Sequence, residues 1–256
     1  MPPLATAAPD QWCFYDRVLP LEIPNFQERL QAVEARIQAT LDRTGRKRSE
    51  ITLVAVSKKF SAQRIREAYQ AGLREFGENY VQEFAEKQPD LLELTDARFH
   101  LIGHLQSNKV RLASELFHVV ETIDSSKLLR RLNAAAAEKA ALIDVLLEMK
   151  LSSEESKTGG SPDQLAELIR TAASCPHLKL RGLMTIPPWS DDPEQSRPYF
   201  QHLAQLGRQY GLPELSMGMS GDFEVALQEG ATIIRVGTAL FGARPKTQQG
   251  VPSVIS

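Results

Sequence analysis

From Ile51 the chain runs Ile51-Thr52-Leu53-Val54-Ala55-Val56-Ser57 with hardly a polar break, turns polar at Lys58-Lys59, and resumes apolar positions at helical spacing in Ile65, Tyr69 and Leu73. An apolar run this short and continuous reads as a strand covered on both faces, as in a parallel sheet. The figure then recurs along the chain. Strands are predicted at 51–57, 74–77, 98–102, 117–123, 143–149, 179–184, 214–217 and 232–236, with helical spacing between them in Leu128/Leu132, Leu165/Leu168/Ile169 and Leu203/Leu206/Tyr210. One further helix precedes them: Phe26, Leu30, Val33, Ile37 and Leu41 share a face, and Gly45 stops it. Parallel neighbours need a long crossover, which a helix supplies, so this alternation predicts an all-parallel sheet. Eight such units predict a single closed (β/α)8 TIM barrel, of α/β class, with an extra N-terminal helix. The runner-up, an open doubly wound sheet, would carry a GxGxxG phosphate loop after its first strand, where this chain has SKKFSAQ.

No low-complexity linker interrupts 51–244, so one barrel domain over 23–244 is expected. The Pro- and Ala-rich stretch 1–22 reads as an extension without order of its own, and 245–256 as a loose tail. At 256 residues and 42% hydrophobic the chain can bury a full core. No segment approaches the roughly 18 consecutive apolar residues of a membrane span. The first residues lack the basic start and long apolar stretch of a secretory signal, and a cytoplasmic protein with no membrane partner is expected. Cys13 and Cys175 fit neither a disulfide framework nor a zinc motif. A net charge of −2 gives no general attraction to phosphate backbones, and the basic run Arg43 to Arg48 reads as a solvated turn, so no nucleic-acid partner is expected.

Chemistry concentrates where barrels place it, at the carboxyl ends of the strands. Lys58 closes the first strand, where an apolar rim can desolvate its amine and free the lone pair for attack on a carbonyl; Lys58 and Lys59 could equally be ordinary solvated lysines. After the seventh strand comes Ser216-Met217-Gly218-Met219-Ser220-Gly221-Asp222, leading into a helix from about Asp222, and after the eighth comes Gly237-Thr238. Both loops have the small, donor-rich character of a phosphate cradle, although turn and cap residues look the same. Arg235 sits in an apolar strand and needs acceptors, from an ion pair or from a ligand; alternation gives it the same face as Gly237. Asn79, after the second strand, reads as a helix cap or a ligand donor, and His104 and Asn108 follow the third. His100 and His104 flank a strand end without an HExxH pattern, so no metal site is expected, and no acid/base pair of carboxylates stands out.

AVSKK at 55–59, FGENYVQE at 76–83, HLIGHLQSNK at 100–109, SSEESKTGG at 152–160, RGLMTIP at 181–187 and SMGMSGDFEVALQEGATIIRVGTALFGAR at 216–244 together resemble the YggS/PROSC family of pyridoxal 5′-phosphate (PLP) homeostasis proteins. The resemblance covers about Phe26 to Arg244 and implies a barrel like the N-terminal domain of alanine racemase, without that enzyme's β-rich second domain. It implies that Lys58, rather than Lys59, forms a Schiff base with the PLP aldehyde. Ser220, Gly237 and Thr238 would hold the phosphate, Arg235 would stand beside the pyridine nitrogen, Asn79 would line the pocket, and Lys157 of the ExxK-x-G motif would approach its mouth. Gly221, where some relatives have Asp, and Lys150-Leu151 depart from the family pattern. The implied role is a monomeric PLP carrier in vitamin B6 and amino-acid balance, with PLP-dependent apo-enzymes as recipients and no strong catalysis. An active PLP-dependent racemase or lyase is the alternative and would need a second base, for which Tyr80 and His104 are nominees. A cofactor-free Schiff-base aldolase is a further rival.

Overall fold

The computed structural model describes residues 25–152 and 158–243. The expectations for 1–22, for the tail from 245 and for Lys157 lie outside those residues. In chain order the elements are α1 Phe26–Thr44, β1 Thr52–Val56, α2 Ala62–Gln70, β2 Glu75–Glu78, α3 Val81–Lys87, β3 Arg98–Leu101, α4 Val110–Leu116, β4 Val119–Ile123 and α5 Ser126–Glu138. They continue as β5 Ile143–Glu148, α6 Leu165–Ala173, β6 Leu178–Met184, α7 Arg197–Tyr210, β7 Glu214–Met219, α8 Phe223–Gln228, β8 Ile233–Val236 and α9 Thr238–Phe241. The strands follow one another round a closed barrel in sequence order, all parallel, and β1 returns to β8 in the register Val54↔Arg235 and Ala55↔Val236. This is the predicted TIM barrel.

Alternation divides each strand between two cores. Val54, Val119, Leu146, Met184 and Ile233 meet inside the barrel. Phe76, Phe84, Phe200 and Phe223 are fully buried between barrel and helices. Phe84 lies 4.5 Å from Phe99 and 5.0 Å from Phe117 between ring centroids. The extra helix α1 is fixed at both ends by its sequence. Asn25 and Glu28 form a reciprocal capping box, and Gly45 takes the left-handed conformation (φ 69°) that ends it. Its apolar face packs on α8 and α9, clasping the last βα unit.

Most strand ends fall within one residue of the periodicity, and three boundaries differ by two residues or more, each for a local reason. Leu73 lies beyond α2, because the chain turns at Gly72 with φ 101°. Phe117 caps α4 and packs on Phe84 rather than opening β4. Strand β7 runs to Met219, two residues past the prediction, because a register shift between Ser216 and Met219 lets Met219 pair with Arg235 across residues that read as loop.

Candidate functional site

At the carboxyl end of the barrel lies a cavity of about 360 Å³ lined by Lys58, Asn79, Ser220, Arg235, Gly237 and Thr238, with Val56, Ile102, Ile186 and Met219 supplying apolar wall and Trp189 at the rim. That volume falls within the range of about 300–1,000 Å³ usual for small-molecule sites. Lys58 is half-buried, whereas Lys59 is exposed and has a positive φ of 65°. The two neighbouring lysines are therefore sorted by the backbone. Asn79 is held by a close crossing: a Cβ on Gly103 would come 2.2 Å from the Asn79 carbonyl oxygen, so only glycine fits there. Its side-chain Oδ1 is buried and has no protein hydrogen-bond partner, the state of an acceptor that meets a ligand donor.

Beside the end of β1, which pairs with β8, the loops after β7 and β8 line the same cavity as Lys58. Gly237 and Ala239 donate their N–H groups to Ser220 Oγ at 3.2 and 3.4 Å. Asp222 closes the first loop rather than capping α8 through its side chain: it accepts from the Met219 N–H at 2.7 Å and from the Ser196 hydroxyl at 2.9 Å. Backbone N–H groups, two hydroxyls and an arginine on one wall make a donor set suited to a phosphate monoester.

Arg235 is 3% exposed. It lines the cavity, and its acceptors in the structure are internal. It donates to the Thr185 carbonyl at 2.9 Å and to Ser216 Oγ, and Glu121 Oε2 lies 3.7 Å away. Ser216 Oγ donates to Glu121 at 2.5 Å, Glu121 Oε1 lies 2.6 Å from His100 Nδ1, and His100 Nε2 lies 2.7 Å from Glu75. This polar column runs down the barrel axis to a second cavity of about 270 Å³ that Glu75, Arg98 and Asp144 help to line. Burial alone would lower the His100 pKa, but the two flanking carboxylates outweigh it and take it to about 9. Burial works to raise Glu121, yet His100 and Arg235 hold it below the ordinary carboxylate range. Desolvation lowers Arg235, with Glu121, Asp222 and Glu148 opposing.

Sequence reasoning saw His100 only as an unpromising metal ligand and missed this column, because its members lie on β2, β3, β4, β7 and β8 and meet only once the barrel closes. It also missed Glu148, 5% exposed, whose carboxyl is pushed up by burial, with Oε1 accepting from Thr158 at 3.0 Å and Oε2 without a partner. The signal was available in principle: a lone Glu ending the apolar run of β5. Tyr80 and His104, nominated as second bases, line an adjoining hollow with Gln106 and Lys109, on the other side of Asn79, and do not line the Lys58 cavity. Among the described residues no group of three or more potential ligands is placed to hold a metal.

A closed parallel barrel whose carboxyl-end cavity is lined by a lysine and a buried arginine defines a class, and residues 29–245 match the family described as "Alanine racemase, N-terminal domain". Within that class the chain is 43% identical over 226 residues to the pyridoxal phosphate homeostasis protein of Aquifex aeolicus, covering 86% of this chain and 99% of the relative. It is 44% identical over 222 residues to the protein of the same name from Escherichia coli K12, covering 84% of this chain and 95% of the relative. The solved structure of PipY from Synechococcus elongatus PCC7942, with PLP bound, has a TM-score of 0.75 at 38% identity, covering 85% of this chain and all of PipY. Alanine racemase from Clostridium difficile, at 12% identity and a TM-score of 0.65, shares the fold. The chain belongs to the pyridoxal phosphate homeostasis protein family.

Proposed function

We propose that this protein is a cytoplasmic, monomeric PLP carrier whose single barrel, 23–244, binds the cofactor and passes it to PLP-dependent apo-enzymes without strong catalysis of its own. The observation that carries this reading is the convergence of Lys58, the Ser220/Gly237/Thr238 cradle and Arg235 on one cavity. When bound, PLP supplies an aldehyde that condenses with a primary amine, losing one water. Lys58 provides that amine at the end of β1; Ser220, Thr238 and the N–H of Gly237 bind the phosphate; Asn79 offers its unpaired oxygen to a ring substituent. Arg235 has donors only, so beside the pyridine nitrogen it holds a proton away from that atom rather than placing one on it. An unprotonated ring is a weak electron sink. With Tyr80 and His104 outside the cavity, efficient racemisation lacks both the sink and a second base.

The purified protein loaded with PLP is expected to show a visible absorption band that borohydride abolishes, leaving a pyridoxyl group on Lys58. Lys58→Ala removes band and label, and Lys59→Ala keeps both. Amino acids should lose no α-deuterium beyond the rate given by free PLP. A label elsewhere would overturn the assignment of Lys58, and rapid deuterium loss would restore the enzyme reading.

A further inference from the structure

Two lysines stand side by side after β1, and only Lys58 lines the cavity. What separates them is the left-handed backbone at Lys59, a region that residues bearing a Cβ enter at a cost. Such a conformation needs support from its surroundings, and α3 provides it. The Lys59 N–H donates to Glu83 Oε1 at 2.5 Å, and the same oxygen lies 2.7 Å from Lys87 Nζ. Lys87 reaches further, donating to both oxygens of the fully buried Glu78 at 3.0 and 3.2 Å and to the Ser57 carbonyl at 3.3 Å. Glu78 also accepts from the Ser57 hydroxyl at 2.8 Å. Ser57 and Lys59 flank Lys58, so one ammonium group ties down the chain on both sides of it. Glu78, Glu83 and Lys87 do not themselves line the cavity.

We propose that Glu83, held in place by Lys87, is a positioning residue that selects Lys58 over Lys59 as the amine presented to the cofactor aldehyde. The inference rests on the PLP reading of the site. Without an acceptor for its N–H, Lys59 returns to negative φ, the peptide between the two lysines turns, and the second amine comes within reach of the rim. In that state both amines compete for the same aldehyde carbon, each forming the C=N bond with release of one water.

The test is peptide mapping of the PLP-loaded protein after borohydride reduction. The parent is expected to carry pyridoxyl on Lys58 alone. Glu83→Ala, at a half-exposed position that leaves the Lys87–Glu78 pair in place, is expected to divide the label between Lys58 and Lys59. Glu83→Gln keeps a carbonyl oxygen for the Lys59 N–H and is expected to return the label to Lys58. Since Lys87→Met strands Glu78 in the interior, the two Glu83 variants carry the test. Label confined to Lys58 in Glu83→Ala, whatever its thermal stability or PLP content, overturns the inference. A parent with label on neither lysine sinks the PLP reading and this inference together, whereas a parent labelled on Lys58 tells the two failures apart.

Discussion

Ser220 receives two backbone N–H groups through one hydroxyl, and in the proposed complex that hydroxyl, so held, would donate to the phosphate beside Thr238. A hydrogen bond to a charged group contributes about 1.5–3 kcal/mol. Ser220→Ala or Thr238→Ala should therefore weaken PLP retention by roughly 10- to 150-fold with the fold intact, measured by equilibrium dialysis; unchanged retention in both would remove the phosphate assignment. The residues that touch the cavity were legible because each stands at the end of an apolar run, where a strand must stop and a loop begin. Lys58, Asn79, Ser220 and Gly237-Thr238 obey that rule, and Arg235 stood out instead as a lone charge inside the apolar run of β8. What the chain order could not convey is the state of each group. The φ of Lys59, the unpaired Oδ1 of Asn79 and the buried carboxyl of Glu148 arise from contacts between segments far apart in sequence.

At the level of elements, helix α1 is the part of the fold most fully written in local sequence: an apolar stripe, a capping box and a glycine stop. Its stripe also carries its energetics. Ile37 and Leu41 are fully buried, so Ile37→Ala or Leu41→Ala should cost about 2–5 kcal/mol in urea unfolding. Asn25→Ala, which removes the capping box, should cost only about 1 kcal/mol. Near-equal losses would mean that α1 is held by its ends rather than by its face. Strand β7 shows the opposite case. Its Gly218-Met219 reads as loop, yet the shift in pairing with β8 extends the strand and brings Met219 opposite Arg235, a register that only the closed sheet defines.

The barrel as a whole has an interior that is apolar in one layer and charged in another, and the charged layer makes its stability depend on pH. His100 sits between Glu121 and Glu75 with its pKa raised to about 9, against an ordinary value of 6.5. A group whose folded pKa lies above its unfolded one contributes in full below the unfolded value and loses that contribution as pH rises through the folded one. Stability should then decline between about pH 6.5 and 9, by about 3 kcal/mol for this group. On the acid side the direction reverses. Glu121 is held below its ordinary range, so its contribution is present above the unfolded carboxylate pKa and fades as pH falls through the folded one. The lowered pKa of His118, caused first by burial, also disfavours the folded state once acid protonates it. Urea unfolding followed from pH 5 to 10 should therefore pass through a maximum below neutrality and fall above it. His100→Gln cannot hold the shared proton, so it should start lower at pH 6 and lose most of the alkaline decline. An alkaline slope that survives this substitution would mean that a group other than His100 carries it, such as Glu78 or Glu148, whose carboxyls burial pushes up.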